Sequence, residues 1–571
     1  MQRKEFLAEL RERIERRGDS IAWRILRSPA PGDLLEVPRR DLVRESVAAA
    51  TRYSRAAEGS VVLLLLPHSP ELFLLHLGLL LTGRIPAILA WPTNRVDPRK
   101  YQRNLLHQLQ NLPAAELLTV PSLVKNLDGA LQYDIHSVPV ASDLDKAFEV
   151  GLAPEERIRA GVSAAATPPD DTLFLQFSGG TTGAQKCVVV TAGMLISQLE
   201  TLSRTLAFGS EDSVVSWLPM YHDMGLIAHL WLPLWTGAPS LQMAAQDWLM
   251  DPGSLFQLIE RYRGTICWLP NFAFSYLAAQ SQRIKPAALG YMRAWINCSE
   301  PVRRKSVDAF VATFRSFGVT PEQCQASYAM AENVFAVTQT EVGEIPQSVS
   351  RKALKNAGAA NSETIFDLFD DVYISSGRPL DGMEVRIRHA DGRQCGETEP
   401  GGIEIRTPCM FFGYWGTEGF QTQALTADGW YATGDYGFLR DGELYVIGRT
   451  KDIVIVGGQN VFPEDVETLA NTVPGVYPGR VVAFGVQDES QGTENLVVVA
   501  EMRGDFDTRT AKQIEREISR AVLAGTGIAA RVVRVTPERW IVKSTAGKIS
   551  RRETRARYLE ELAAPPARIG E

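Results

Sequence analysis

The chain has 571 residues, 45% of them hydrophobic, and its 60 Lys and Arg against 67 Asp and Glu give a formal net charge of −7. That balance offers no electrostatic footprint for nucleic acid, and the arginines at Arg551 and Arg552 are too local to supply one. The six cysteines are scattered, Cys395 and Cys409 being the nearest pair, which excludes a disulfide framework and a CxxC metal or redox site and points to a reducing cytoplasm.

The length predicts about three or four domains or subdomains with sizeable cores, and small-molecule or protein partners. Met1 to Arg17 is charged throughout, so no signal peptide is expected, and residues 4–17 read as an amphipathic helix. Val61 to Leu66, stopped by Pro67, reads as a buried strand. A helix over Glu71 to Leu81 and a strand over Ile85 to Ala90 complete a βαβ unit. The most apolar stretch, Leu72 to Leu81, is too short to cross a bilayer. Residues 91–168 are less legible, with a helical stretch at Tyr101 to Leu109. Beyond the next motif come a helix near Ala192 to Leu206, a strand at Val214 to Leu218, a helix at Ser254 to Arg263 and a strand at Thr265 to Leu269. From Ile374 the texture changes to short strands with turns such as Asp391-Gly392 and Asp441-Gly442. The fold class expected is α/β: a large domain over 1–450, made of α/β subdomains plus a β-rich one, then a small, compact α+β domain over 451–571.

Phe174 to Phe177 reads as a buried strand and Cys187 to Val190 as a β-branched one. Between them lie Ser178, Gly179, Gly180, Thr181, Thr182, Gly183 and Lys186. Hydroxyls, backbone N–H groups that glycine lets approach an anion closely, and one lysine make a phosphate cradle. It is not a Walker A loop, because Lys186 stands three positions after Gly183 and leads into a strand. The expected geometry is a strand-to-strand flap.

Further stretches follow in a fixed order: Tyr221-His222-Asp223, Asn297-Cys298-Ser299-Glu300-Pro301, Tyr328-Ala329-Met330-Ala331-Glu332, Tyr431-Ala432-Thr433-Gly434-Asp435, Gly448-Arg449-Thr450-Lys451-Asp452 and Lys543 to Lys548. With the loop, this set resembles the adenylate-forming superfamily of acyl-CoA synthetases and peptide-synthetase adenylation domains, from about Val61 to Arg552. Trp217 to Ile227 and Pro270 to Phe274 are most similar to the fatty acyl-AMP ligases.

The resemblance implies ATP and Mg²⁺ as cofactors. It places Thr181, Thr182 and Lys186 on the β- and γ-phosphates, consistent with charge complementarity, and Glu332 on Mg²⁺. Tyr328 and Ala329 would adjoin adenine, with Ser299, Glu300 and Pro301 along the base edge. Asp435, assisted by Arg449, would take the ribose hydroxyls, and His222 would border the carboxylate channel. Lys451 would be the hinge about which the small domain turns, and Lys548 the lysine that this domain brings to the reacting carboxylate. The implied reaction joins a carboxylic or other small acid to AMP and then passes the acyl group to an acyl carrier protein thiol.

Three departures stand out: Cys187, Cys298 and Ala329 occupy positions where the family usually has glycine. Six tryptophans, Trp217, Trp231, Trp235, Trp248, Trp268 and Trp295, fall in the region that would wall the acid pocket. Gln347 to Phe369 stands where acyl-AMP ligases carry an insertion that would hinder CoA. Three alternatives stay open at this level: a CoA ligase, an enzyme for a small or unusual acid such as nitrite, and a catalytically silent nucleotide-binding partner.

Overall fold

The structure is a computed structural model that describes the chain except residues 1, 29–31, 93–100, 102–103, 107, 110–111, 113, 128–133, 141–167, 179–185, 351–371, 417–418, 422–424, 457–458, 489–492, 544–548 and 564–571. The predicted βαβ unit forms as read: Val61–Leu65 and Ile85–Ile88 run parallel around helix Pro70–Leu81. Ser69 caps that helix by accepting from Leu72 N, and Pro70 fits the first turn, where no N–H is needed.

Two large sheets share one hydrophobic core that runs from Phe6 to Leu444. In one, an eight-stranded sheet among the described residues, parallel strands including Val61–Leu65 and Ile85–Ile88 lead to Thr172–Phe177, which turns back antiparallel into Cys187–Thr191. In the other, of nine strands among the described residues, Val214–Ser216, Ile266–Leu269, Ala294–Cys298 and Cys324–Ala329 are parallel neighbours. Strands buried on both faces read as unbroken apolar runs rather than alternating ones. The predicted helices form as Ala192–Thr205 and Gly253–Tyr262, and the helix expected over residues 4–17 forms as Arg3–Glu15. The first strand, Ile21–Leu26, inserts beside Ser240–Gln242 in the nine-stranded sheet, a pairing across the chain that no local pattern announced.

The β-rich part is, among the described residues, a four-stranded antiparallel sheet. Its hairpin Tyr431–Arg440 to Glu443–Arg449 turns on Asp441 (φ 53°) and Gly442 (φ 76°), the two left-handed residues that a two-residue loop between right-twisted strands requires. Residues 351–371, most of the predicted insertion, lie outside the described residues. Its flanks are paired: Ser348–Ser350 runs antiparallel to Val372–Ile374, and Val349 packs with Phe438, Tyr445 and Ile447 of this sheet.

From Val454 onward the chain has its own cores. The three-stranded sheet of Val476–Asp488, Thr493–Met502 and Val532–Thr536 alternates perfectly: Val481, Ala483, Val498 and Ala500 face one cluster, Val482, Phe484, Val497 and Val499 another. The first is covered by helices Pro463–Ala470 and Thr508–Thr526, the latter capped by Asp507 and ended by Gly527 at φ 70°. The second is covered by Trp540, Ile541 and Tyr558. The architecture is α/β with a smaller α+β unit at the C-terminal end.

Candidate nucleotide and acid site

Several motifs stand at the carboxyl ends of strands, where open α/β sheets bind ligands. Ser178 follows Thr172–Phe177, Ser299 follows Ala294–Cys298, and Glu332 comes just after Cys324–Ala329. Ser178 N donates to Lys186 O at 2.9 Å, closing the base of the predicted flap between antiparallel strands. Gly179, Gly180, Thr181, Thr182 and Gly183 lie outside the described residues. Lys186 is exposed, with its ammonium 4.2 Å from the centroid of the Tyr414 ring. Gln176, two residues before the loop, donates from Nε2 to Val334 O at 3.2 Å and ties it to the Glu332 turn.

Glu332 sits in a single 3₁₀ turn, Ala331–Asn333. Its Oε1 accepts from the Tyr414 hydroxyl at 2.7 Å, and its carbonyl accepts from Phe411 N at 2.8 Å. Tyr414 and Tyr431 hydroxyls are 3.0 Å apart. Burial first, and the Glu332 charge second, push the Tyr414 phenol well above its ordinary range, so it is a donor. Val334, immediately downstream, has φ 65°, a left-handed conformation strained for a β-branched residue; Ser299 has φ 72°. Such outliers concentrate where a chain must present groups rather than merely pack. Cys187, Cys298 and Ala329 all keep negative φ, so the absence of glycine there costs no backbone strain.

Asp435 is bracketed. Tyr328 Oη donates to its Oδ2 at 2.6 Å, and Arg449 Nε lies 3.1 Å from its Oδ1. Register explains the second contact, since Asp435 and Arg449 are cross-strand partners. Thr433 positions the bend by accepting from Asp435 N at 3.1 Å while donating to Ile403 O at 2.8 Å. Asp435 raises the Arg449 guanidinium, and burial followed by Asp435 raises the Tyr328 phenol. Lys451 follows in the turn Thr450–Asp452. Partial burial, then Arg449, lowers its ammonium; Lys186 and Arg552 add to that and Asp452 opposes it. Lys186, Arg449, Lys451 and Arg552 therefore lie near enough to act on one another, among the carboxylates of Asp435 and Asp452.

On the acid side, Tyr221 and His222 have ring centroids 4.8 Å apart, and His222 O accepts from Leu226 N at 2.8 Å. The next segment, Met224–Trp231, is a π-helix, a rare form that is frequent at functional sites. A Cβ on Gly225 would stand 2.1 Å from Pro219 O, so glycine alone lets this helix lie against the Pro219 loop. Met224 Sδ approaches Ser299 Oγ at 4.0 Å, and Glu300 Oε2 accepts from Phe272 N at 3.0 Å. Pro301 continues that loop. The six tryptophans are all buried in the one core. Trp231 and Trp235 pack on Phe6, Trp268 meets His229, and Trp295 packs on Phe256 and Phe310, all ordinary core. Trp217 and Trp248 stack at 4.0 Å with Phe272 edge-on to both, next to Glu300.

Lys548 lies outside the described residues, but the base of its loop is a hairpin in which Lys543 bridges Ile549 and Ser550 N donates to Val542 O at 2.8 Å. Among the described residues there is no cluster of three or more His, Cys, Asp or Glu side chains able to hold a metal. A lone Glu332 carboxylate suits Mg²⁺ arriving with a nucleotide, since that ion uses one or two carboxylates plus phosphate oxygens. Tyr414 is the site residue that sequence reasoning missed. Its Gly413-Tyr414-Trp415 context carries no chemical signature, and it reaches the site through a bridge to Val188 across the sheet.

The model of the AMP-binding enzyme family matches residues 42–415. The chain belongs to the AMP-binding enzyme family. A medium-chain-fatty-acid–[acyl-carrier-protein] ligase of Moorena producens is 30% identical over 522 residues, 87% of this chain and 85% of the relative. Among solved structures, one from work on fatty acyl-adenylate ligases of E. coli and L. pneumophila has TM-score 0.81 at 22% identity, covering 98% of both chains. The McyG A-PCP structure complexed with phenylalanyl-adenylate has TM-score 0.78 at 21% identity, covering 98% of this chain and 83% of the other. This AMP-binding enzyme is accordingly an adenylate-forming ligase that uses ATP. No helix among its described residues is long and apolar enough to cross a membrane.

Proposed function

We propose that this ligase adenylates a carboxylic acid and passes the acyl group to the phosphopantetheine thiol of an acyl carrier protein in the cytoplasm. In the first step a carboxylate oxygen attacks the α-phosphorus of ATP and the bond to pyrophosphate breaks. In the second the thiol sulfur attacks the acyl carbon, its proton is lost and AMP leaves. The observation that carries the reading is the convergence at the strand ends of two linked sets: Tyr328–Asp435–Arg449, and Lys186–Tyr414–Glu332.

In this reading Asp435 and Arg449 hold the ribose and Tyr328 flanks the base beside Ala329 and Ser299 to Pro301. Lys186 with the Ser178 to Gly183 loop holds the leaving phosphates. Glu332 would hold Mg²⁺, which when bound shields phosphate charge. Such catalysis is mostly positioning and electrostatics. His222 lines the approach of the acid. The small domain over 451–571 turns about Lys451, bringing Lys548 to the reacting carboxylate and later withdrawing it. The ion pair Arg303–Asp465 at 3.6 Å joins the two parts in this pose. Transfer to a carrier protein is supported by the name of the Moorena producens relative and by the paired flanks of the 351–371 segment, whose packing cluster extends to Phe462 of the small domain.

Pyrophosphate release across acids from nitrite and acetate to long-chain fatty acids, repeated with CoA and with pantetheinylated carrier protein, tests both steps. Release with a carboxylic acid and loading of carrier protein over CoA is expected. Release with no acid in the panel, or CoA turnover as fast as carrier loading, overturns the reading.

A further inference from the structure

We propose that Tyr414 is a positioning residue that holds the Glu332 carboxylate and the Lys186 ammonium in register, and thereby sets how strongly magnesium strengthens ATP binding. The inference rests on the nucleotide reading above and gives a role to a residue that the reading names only as the link between Lys186 and Glu332.

Three separate motifs touch this one side chain. Its ring lies 4.2 Å from Lys186 Nζ, its hydroxyl is 2.7 Å from Glu332 Oε1, and the Tyr431 hydroxyl is 3.0 Å away. A phenol has one proton, and an ionised carboxylate can only accept, so Tyr414 donates to Glu332 and Tyr431 must donate to Tyr414. The chain of donors is directional and ends on the carboxylate. With Oε1 engaged, the rotation of the Glu332 carboxylate is fixed and Oε2 is presented for a cation. The face of the ring holds Lys186 by cation–π attraction, which leaves N–H donors for phosphate oxygens.

Tyr414 is itself held on several sides. It pairs with Val188, two residues beyond Lys186, and its ring packs on Phe411 at 4.9 Å, whose N–H is bonded to Glu332 O. Lysine, carboxylate and tyrosine therefore share one backbone frame.

Calorimetry of ATP binding without acid, in Mg²⁺ and in EDTA, measures the coupling between metal and nucleotide as the ratio of the two dissociation constants. Tyr414→Phe keeps the ring and removes the donor, so the ratio should fall about tenfold, as for loss of a group that orients a metal ligand, with binding in EDTA unchanged. Tyr431→Phe should lower the ratio by less. Tyr414→Leu also removes the ring and should in addition weaken binding in EDTA about threefold. Equal losses in both media for Tyr414→Phe would mark a merely structural tyrosine, and an unchanged ratio would remove Tyr414 from metal positioning; either overturns the inference. If the wild-type protein binds no ATP, or binds it without regard to Mg²⁺, the nucleotide reading fails instead.

Discussion

Asp452 Oδ2 accepts from Arg551 Nη1 at 2.5 Å across 99 residues of sequence, so the residue just after Lys451 is bound to the helix that begins three residues after Lys548. On the other side of the turn, Arg449 is bound to Asp435. Any pivot is thus confined to Thr450 and Lys451, and the base of the Lys548 loop is built into the body that carries Asp452. Arg551 also reaches Glu464 at 3.2 Å, Glu467 at 2.9 Å and Ala483 O at 2.9 Å.

Removing Arg551 leaves three carboxylates, each no more than 20% exposed, without their shared cation. Arg551→Gln should destabilise the C-terminal unit by about 3–5 kcal/mol, the usual cost of removing one partner from a buried ion pair. Hydrogen exchange over 463–563 measures it, and protection equal to wild type there would refute the role given to Arg551.

Glu467 gives a pH dependence of known sign. Burial pushes its carboxyl up to about 7, with Glu464 adding and Arg551 opposing, against an ordinary value of 4.5. A raised folded value means that the folded state binds more protons, so this contribution is complete below 4.5 and is lost as pH rises to about 7. Melting of wild type and Glu467→Gln followed from pH 4.5 to 8 should show a shallower decline in the variant. Parallel curves would contradict it.

Gly225→Ala forces a Cβ to within 2.1 Å of a backbone oxygen that no side-chain motion can clear. The Pro219 to His222 segment or the π-helix must shift, which should cost about 1–3 kcal/mol of stability and raise the KM for acid more than the KM for ATP. Wild-type values for both constants would exclude close packing here as a determinant of the acid site.

Lys548→Ala should separate the two half-reactions. If the small domain turns after the adenylate forms, Lys548 serves the first step alone. Adenylate formation should then slow by about 10²–10³, the usual effect of one lost transition-state donor, while transfer from supplied acyl-adenylate stays near wild type. Equal slowing of both steps would eliminate a rotation that withdraws this lysine.

Gly225 also marks a boundary in what sequence could reveal. Period and turn chemistry are local, so the βαβ unit at Val61, the flap between Thr172–Phe177 and Cys187–Thr191 and the Asp441-Gly442 hairpin were legible from residue order alone. The ordered motifs likewise pointed to the residues proposed to hold the nucleotide, because phosphates and ribose demand particular side chains. Long-range pairing was not legible. Val188 and the Tyr414 strand, Ile21–Leu26 and Ser240–Gln242, and Asp452 and Arg551 meet only once two sheets and a helix have packed. The same holds for the six tryptophans, alike in sequence and all buried, of which packing alone sets the Trp217–Trp248 stack beside Glu300. Residue chemistry and short-range periodicity are written along the chain. Which side chain orients Glu332, and which arginine ties the turn at Asp452 to the C-terminal helix, depends on contacts whose partners lie far apart in sequence, and tertiary structure alone decided them.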